Sequence, residues 1–205
     1  MPPKICEHIT RRYFPMSKSR MFRSENKNSI VEQATLAGGC FWCMEETFAR
    51  VSGVLDVMPG YTGGHGPCPT YESVSKGDTG HAEAIQLSFN ALQIPYEGLL
   101  DIFWRNIDPT TAGRQFCDVG SQYRPAIFYH DQGQRLQALA SREALVRDKP
   151  FAGDVVVEIA PLDVFYPAEE HHQGFYHKNP VHFQRYRRGC GRDRRLRELW
   201  YGGEK

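Results

Sequence analysis

Leu36-Ala37-Gly38-Gly39-Cys40-Phe41-Trp42-Cys43-Met44-Glu45-Glu46 is the stretch around which the chain is organised. A mostly apolar run from Ala34 to Ala37 ends in two glycines, and a helix-like pattern follows through Ala49. The pattern predicts a strand, a tight turn, and a helix whose first turn carries Cys40. Orphan N–H groups at a helix N-terminus favour an anion, so the Cys40 thiolate is expected to be stabilised there. Cys43 lies three positions on, on the same side of the helix, within range of a disulfide with Cys40 if the first turn adjusts.

Working outward, Ile30–Ala37 reads as the first strand and Val54–Met58 as a second, broken by Pro59-Gly60. Residues 81–90 alternate as a half-buried strand does, and Pro95 opens a helix with Leu99, Leu100, Phe103 and Trp104 at helical spacing. Ala126–Tyr129 and Val155–Ile159 read as further strands, and Gln134–Lys149 as an amphipathic helix. This order predicts an α+β fold, a two-layer sandwich with a mixed β-sheet, packed helices and long loops.

Forty per cent hydrophobic residues over a 205-residue chain suffice for one well-buried domain. No apolar run reaches membrane-spanning length, and no apolar block follows the basic N-terminus as in a signal peptide. The expectation is a soluble, cytoplasmic protein and a monomer. Residues 1–30 hold seven Lys/Arg against two Asp/Glu, and 185–205 hold eight against three, so each end carries +5 and the middle −9. We read residues 1–29 as a flexible N-terminal extension, 30–184 as the working domain and 185–205 as a basic C-terminal tail. The basic ends could hold nucleic acid or an acidic partner. Lacking a stacking platform or nucleic-acid motif, they read as segments that are solvated or lie over an acidic domain, and no nucleic-acid partner is expected.

The six cysteines are Cys6, Cys40, Cys43, Cys68, Cys117 and Cys190. An apolar chain of this size needs no disulfide framework, so most thiols are expected to be reduced. Cys40 is the natural nucleophile, because its Gly-Gly turn into a helix sets it apart from a thiol that merely fills a core. Phe41 and Trp42, adjacent at a helix start, cannot both point inward, so one of them lines a cleft. Glu83 shares its parity with Ile85, Leu87 and Phe89. Alternation puts it on their apolar face, while its place at the strand's start could still reach water, and parity leaves both open. Glu169, Glu170, His171, His172, His177 and His182 fit no tight metal spacing, and neither metal nor cofactor is expected.

Several motifs, in order, resemble the A-type peptide methionine sulfoxide reductases. These are Gly39-Cys40-Phe41-Trp42, Gly60–Gly64, Pro69–Glu72, Gly77–Glu83, Gly120–Arg124, Tyr166–Glu170, His172-Gln173 and Lys178–Pro180. The Cys40/Cys43 pair resembles the subgroup with a C-x-x-C at the catalytic cysteine. The resemblance implies reduction of methionine-S-sulfoxide, free or in proteins, with Cys40 as nucleophile and Glu83 as the acid that protonates the departing oxygen. It assigns Phe41 and Trp42 to the substrate methyl group, and Tyr71, Asp118 and Tyr123 to the sulfoxide oxygen or to fixing the site. Cys40 would become a sulfenic acid, a second thiol would close a disulfide, and thioredoxin would reduce it. Cys43 is the favoured resolving thiol; Cys190 could attack Cys40 directly or relay from Cys43. Cys117 is given no role, and Cys6 and Cys68 look incidental. The rival readings are a general C-x-x-C disulfide oxidoreductase and a basic-tailed nucleic-acid-binding or adaptor protein.

Overall fold

The computed structural model describes residues 22–23 and 29–202. The expected N-terminal extension, with Cys6, lies outside the described residues apart from 22–23 and 29, as do 203–205.

A mixed sheet forms the centre. Its strands are β1 (Phe22–Arg23), β2 (Ile30–Ala37), β3 (Val54–Thr62), β4 (Ala82–Asn90), β7 (Ala126–Tyr129), β8 (Glu158–Pro161) and β9 (Tyr166–Pro167). The main path runs β8-β7-β2-β4-β3-β9, with β1 paired to β2. All pairings are antiparallel except β7 with β8. A two-stranded ribbon of β5 (Arg114–Gln115) and β6 (Asp118–Val119) stands apart. The expected α+β architecture with a mixed sheet is what the chain adopts.

Helix α1 (Phe41–Phe48) follows β2 directly, and its Phe41, Met44 and Phe48 pack with Leu36, Ile85 and Leu87. The same core takes Leu99, Leu100, Phe103 and Trp104 from α3 (Tyr96–Arg105) and Ala138 from α4 (Gln132–Asp148). Each large apolar side chain buried here contributes about 1.5–3 kcal/mol. Odd-numbered residues of β4 join this core. The even-numbered Ala82 and Ala84 pack with Ala37, Ala126 and Phe128 in a smaller cluster partly covered by Leu162 and Phe165.

Two strand readings shift. Pro59-Gly60 does not end β3, which runs on to Thr62. Pro59 needs no donor there, since its carbonyl takes the amide of Ala168 and the side chain of Gln173. The strand expected at 155–159 forms instead at 158–161, in register with β7. The short helices α2 (Tyr71–Ser75) and α5 (Phe175–Lys178) and a 3-10 turn at Ser121–Tyr123 complete the domain body.

The C-terminal segment takes one of the two arrangements left open. Residues 185–201, read as a basic tail either solvated or lying over an acidic domain, lie in α6 (Pro180–Cys190) and α7 (Arg192–Tyr201), hinged at Gly191 (φ 72°). Phe183, Arg192 and Leu199 are buried. Arg187 pairs with Glu46 at 3.0 Å and Asp193 at 2.8 Å, and Arg195 with Asp108 at 2.7 Å. Part of the arginine block thus neutralises the acidic body rather than facing water.

Candidate active site

The turn between β2 and α1 is tight for steric reasons. A Cβ on Gly38 would meet Met44 Sδ at 2.6 Å, and one on Gly39, at φ 81°, would meet Gln115 Cβ at 2.6 Å. Only glycine satisfies both the left-handed backbone and the close approach. The turn delivers Cys40 to the N-cap of α1, where its carbonyl accepts from the amides of Cys43 (3.1 Å) and Met44 (3.4 Å).

The free amide of Phe41 donates to Glu83 Oε2 at 3.0 Å, so the acid sits against the first residue of the cysteine's helix. Glu83 is 3% exposed and does not reach bulk water. Burial pushes its carboxyl up to about 8, against the pull of the Phe41 amide. It is therefore mostly protonated at neutral pH and able to donate.

Cys40 is 5% exposed, and its thiol is raised rather than lowered. Burial is the largest cause, followed by its bond to Cys43 and the charges of Cys43 and Glu83. Desolvation outweighs the helix terminus, which reverses the expected direction. Cys43 is buried too, and lies at about 7. The hydrogen bond from Cys40 lowers it most; burial opposes, and Arg192 and Arg187 help. The two shifts run in opposite directions, so Cys43 ionises first while Cys40 keeps its proton and donates it to the Cys43 sulfur. Both sulfurs are free.

Aromatic rings wall the cysteine. Phe41 is buried, 5.8 Å from the ring of Tyr61, 6.5 Å from Tyr71 and 5.2 Å from His172. Trp42, half-buried, stacks on Phe175 with centroids 3.8 Å apart and donates its indole N–H to His172 Nδ1 at 3.2 Å. His172, held at about 4 mainly by burial, is neutral and accepts this bond. Glu169 accepts from the Tyr61 hydroxyl and the Tyr71 amide, both at 2.8 Å, and so ties α2 to β3. In this stretch Glu169 and His172 act as hydrogen-bond acceptors.

Tyr71 and Tyr123 are half-buried, and both phenols are raised first by burial, with further contributions from the charges of Glu83, Cys40 and Asp118. Asp118, raised by burial, is bonded to the Tyr186 hydroxyl, which also bonds the Cys40 sulfur. A hydroxyl has one proton to give, so Tyr186 donates toward one of these partners and accepts from the other when that partner is protonated. Tyr186 and His182 flank Trp42 and border an open groove of about 740 Å³ along α6.

The structure brings Cys40, Phe41, Trp42, Cys43, Tyr71, Glu83, Asp118 and Tyr123 into one neighbourhood. Cys190 stands beside it, one turn past Tyr186, with its sulfur 3.8 Å from Asp118 Oδ2. It is not a free thiol, because it is bonded to Cys117 73 residues away. The expectation that most thiols are reduced does not hold at this pair, nor at Cys68, which is also disulfide-bonded; Cys117, to which no role was assigned, holds Cys190. Sequence reading also missed Tyr186, Phe175 and Arg192. A signal existed in the spacing of Phe183, Tyr186 and Cys190, which share a helical face, but it was masked by the surrounding arginines.

A buried acid held neutral beside a buried thiol pair is an arrangement suited to thiol redox chemistry. Comparison narrows the class. The family model described as peptide methionine sulfoxide reductase matches residues 32–203. The Bacillus subtilis peptide methionine sulfoxide reductase MsrA is 51% identical over 169 residues, covering 82% of this chain and 96% of the relative. Methionine sulfoxide reductase A of Corynebacterium diphtheriae superposes with a TM-score of 0.69 at 32% identity, covering 74% of this chain and 76% of that one. Mxr1 from Saccharomyces cerevisiae in complex with Trx2 is similar at a TM-score of 0.51 and 25% identity, covering 70% and 85%. The chain belongs to the peptide methionine sulfoxide reductase family, whose activity is the reduction of methionine sulfoxide. No helix among the described residues is long and apolar enough to cross a membrane.

Proposed function

We propose that the chain reduces methionine-S-sulfoxide, free or in proteins, through Cys40 and Glu83. The observation that carries this reading is the bond from the Phe41 amide to a buried, protonated Glu83 at the base of the Cys40 helix. The Cys40–Cys43 pair loses a proton, and the Cys40 sulfur attacks the sulfoxide sulfur. Glu83 gives its proton to the sulfoxide oxygen, with Tyr71 and Tyr123 as nearby hydroxyl donors. The aromatic wall of Phe41 and Trp42 takes the S-methyl group, at about 0.8 kcal/mol per buried methyl-sized group. The oxygen passes with its proton from the methionine sulfur to the Cys40 sulfur as the bond between the two sulfurs breaks, so methionine leaves reduced and Cys40 remains as a sulfenic acid.

Cys43 is the resolving thiol in this reading, which places the chain with the C-x-x-C subgroup. Its thiolate attacks the Cys40 sulfur, the S–O bond breaks, and the oxygen leaves as water once protonated. The lowering of the Cys43 thiol by Cys40 supports this choice. Cys190 could join only after its bond to Cys117 is reduced. The Cys40–Cys43 disulfide is then reduced by an external dithiol. The yeast relative in complex with Trx2 supports thioredoxin in that part.

The test is disulfide mapping after one turnover of the S epimer. A Cys40–Cys43 disulfide in the wild type, replaced in Cys43→Ser by a trappable Cys40 sulfenic acid, is expected. A Cys40–Cys190 disulfide in Cys43→Ser at the wild-type rate would remove Cys43 from the mechanism.

A further inference from the structure

Arg192 heads the fully buried side chains by volume, at 2% exposure, and the reaction described above does not use it. It enters from the first turn of α7 and runs beneath the catalytic turn. Its Nη2 donates to the Gly38 carbonyl at 3.1 Å and the Asn106 carbonyl at 2.7 Å, and lies 3.2 Å from Met44 Sδ. Its Nη1 is 3.9 Å from where a Gly39 Cβ would stand, and the Phe116 ring covers the guanidinium at 4.6 Å. Its Nε is buried with no hydrogen-bond partner among the described residues.

What it lacks is a counter-ion. Among the described residues no carboxylate oxygen lies within 4 Å of the guanidinium, whereas Arg187 has both Glu46 and Asp193 and Arg195 has Asp108. An arginine does not shed its proton to escape burial, and carbonyl dipoles and a ring face offset a buried cation only in part. A site holding such a charge favours any negative charge that forms nearby.

We propose that Arg192 is a positioning residue of the redox centre: its guanidinium fixes the Gly38–Gly39 turn and supplies the buried positive charge toward which the Cys40–Cys43 pair ionises. The inference rests on the reading of that pair as the redox couple. Besides Arg192 from α7, the groups facing the pair are Tyr71 from α2, Glu83 from β4, Asp118 from β6, Tyr123 from the 3-10 turn, and Tyr186 and Arg187 from α6; the Tyr71 and Tyr123 phenols are raised and stay neutral. Glu83 is largely neutral near pH 7, and the Tyr186 phenol is raised far from neutrality, chiefly by burial. Asp118 opposes thiolate formation, and Arg187 is already neutralised by its carboxylates. That leaves Arg192 as the cation without an ion pair, its charge acting on both Cys43 and Asp118. A pair ionised toward that charge supplies thiolate, for the sulfoxide and later for the sulfenic acid, at pH values where a buried isolated thiol would be protonated.

The test is the ultraviolet absorbance of thiolate against pH, with the spectrum of Cys40→Ser/Cys43→Ser subtracted. Removing the charge in Arg192→Met is expected to raise the first midpoint by about one pH unit, a tenfold loss of thiolate below it. Arg192→Lys keeps the charge but not the two carbonyl bonds, so it is expected to unfold at lower temperature yet hold the wild-type midpoint. Arg187→Gln is expected to move the midpoint less than Arg192→Met. A folded Arg192→Met with the wild-type midpoint overturns the proposal. Should that variant not fold, Arg192→Lys decides, and a midpoint raised tenfold or more there overturns it. The titration reads ionisation alone, so it is independent of whether Cys43 resolves, which disulfide mapping decides.

Discussion

Replacing Glu83 by glutamine separates two consequences of burying an acid. Moving a carboxyl from 4.5 to about 8 corresponds to about 5 kcal/mol of preference for the neutral form. The unfolded chain loses this proton near pH 4.5, while the native protein keeps it to about 8, so across that window the native state binds more protons. Stability therefore falls as pH rises through the window, and the full contribution is present only below pH 4.5. Glutamine cannot ionise and still accepts the Phe41 amide, so Glu83→Gln escapes this loss. Between pH 5 and pH 9 the stability of the variant relative to wild type is expected to improve by about 3–5 kcal/mol, read from denaturant unfolding at each pH. Turnover of methionine sulfoxide by the same variant is expected to fall by about 10²–10⁴-fold, the usual worth of a positioned proton donor. Wild-type turnover should decline above about pH 8 as Glu83 ionises. A stability difference that does not change with pH, or a variant that turns over like wild type, would refute the reasoning.

Tyr186→Phe removes the hydroxyl that bonds both Asp118 and Cys40. A loss of about 1.4 kcal/mol of transition-state stabilisation, or about tenfold in kcat with little change in KM, is expected from steady-state kinetics. Gly39→Ala forces a left-handed alanine and a contact at 2.6 Å with Gln115 Cβ, so a loss of about 1–3 kcal/mol in denaturant unfolding is expected. Cys117→Ser opens a loop spanning 73 residues; chain entropy predicts a loss of about 4 kcal/mol, visible as a lower Tm without reductant and absent once dithiothreitol has reduced the wild type.

Most of the sheet and the entry to the site were legible because local chemistry determined them. Ile30–Ala37 and Ala126–Tyr129 lie within the sheet as read, since apolar runs bounded by glycine or proline leave little choice. Gly39 before Cys40 signalled the turn, and the position is sterically closed to other residues. Glu83's burial was left open by parity, since alternation says which face a residue takes but not what covers that face. The cover is α1 and the Phe41 amide, a tertiary fact. The C-terminal arginines left two readings open, solvated or laid over an acidic domain, for the same reason. A charge run is solvated unless the body offers partners, and Glu46, Asp108 and the Gly38 carbonyl lie far away in sequence. The direction of the Cys40 shift was missed because a helix N-terminus is visible in sequence while desolvation is not.

The central claim is a stereospecific sulfoxide reduction carried by Cys40, and consumption of resolved S and R methionine sulfoxide with excess dithiothreitol tests it most directly, wild type beside Cys40→Ser. Loss of the S epimer alone, abolished by the substitution, is the predicted result. Turnover of neither epimer by folded wild-type protein, or turnover that survives Cys40→Ser, would contradict it.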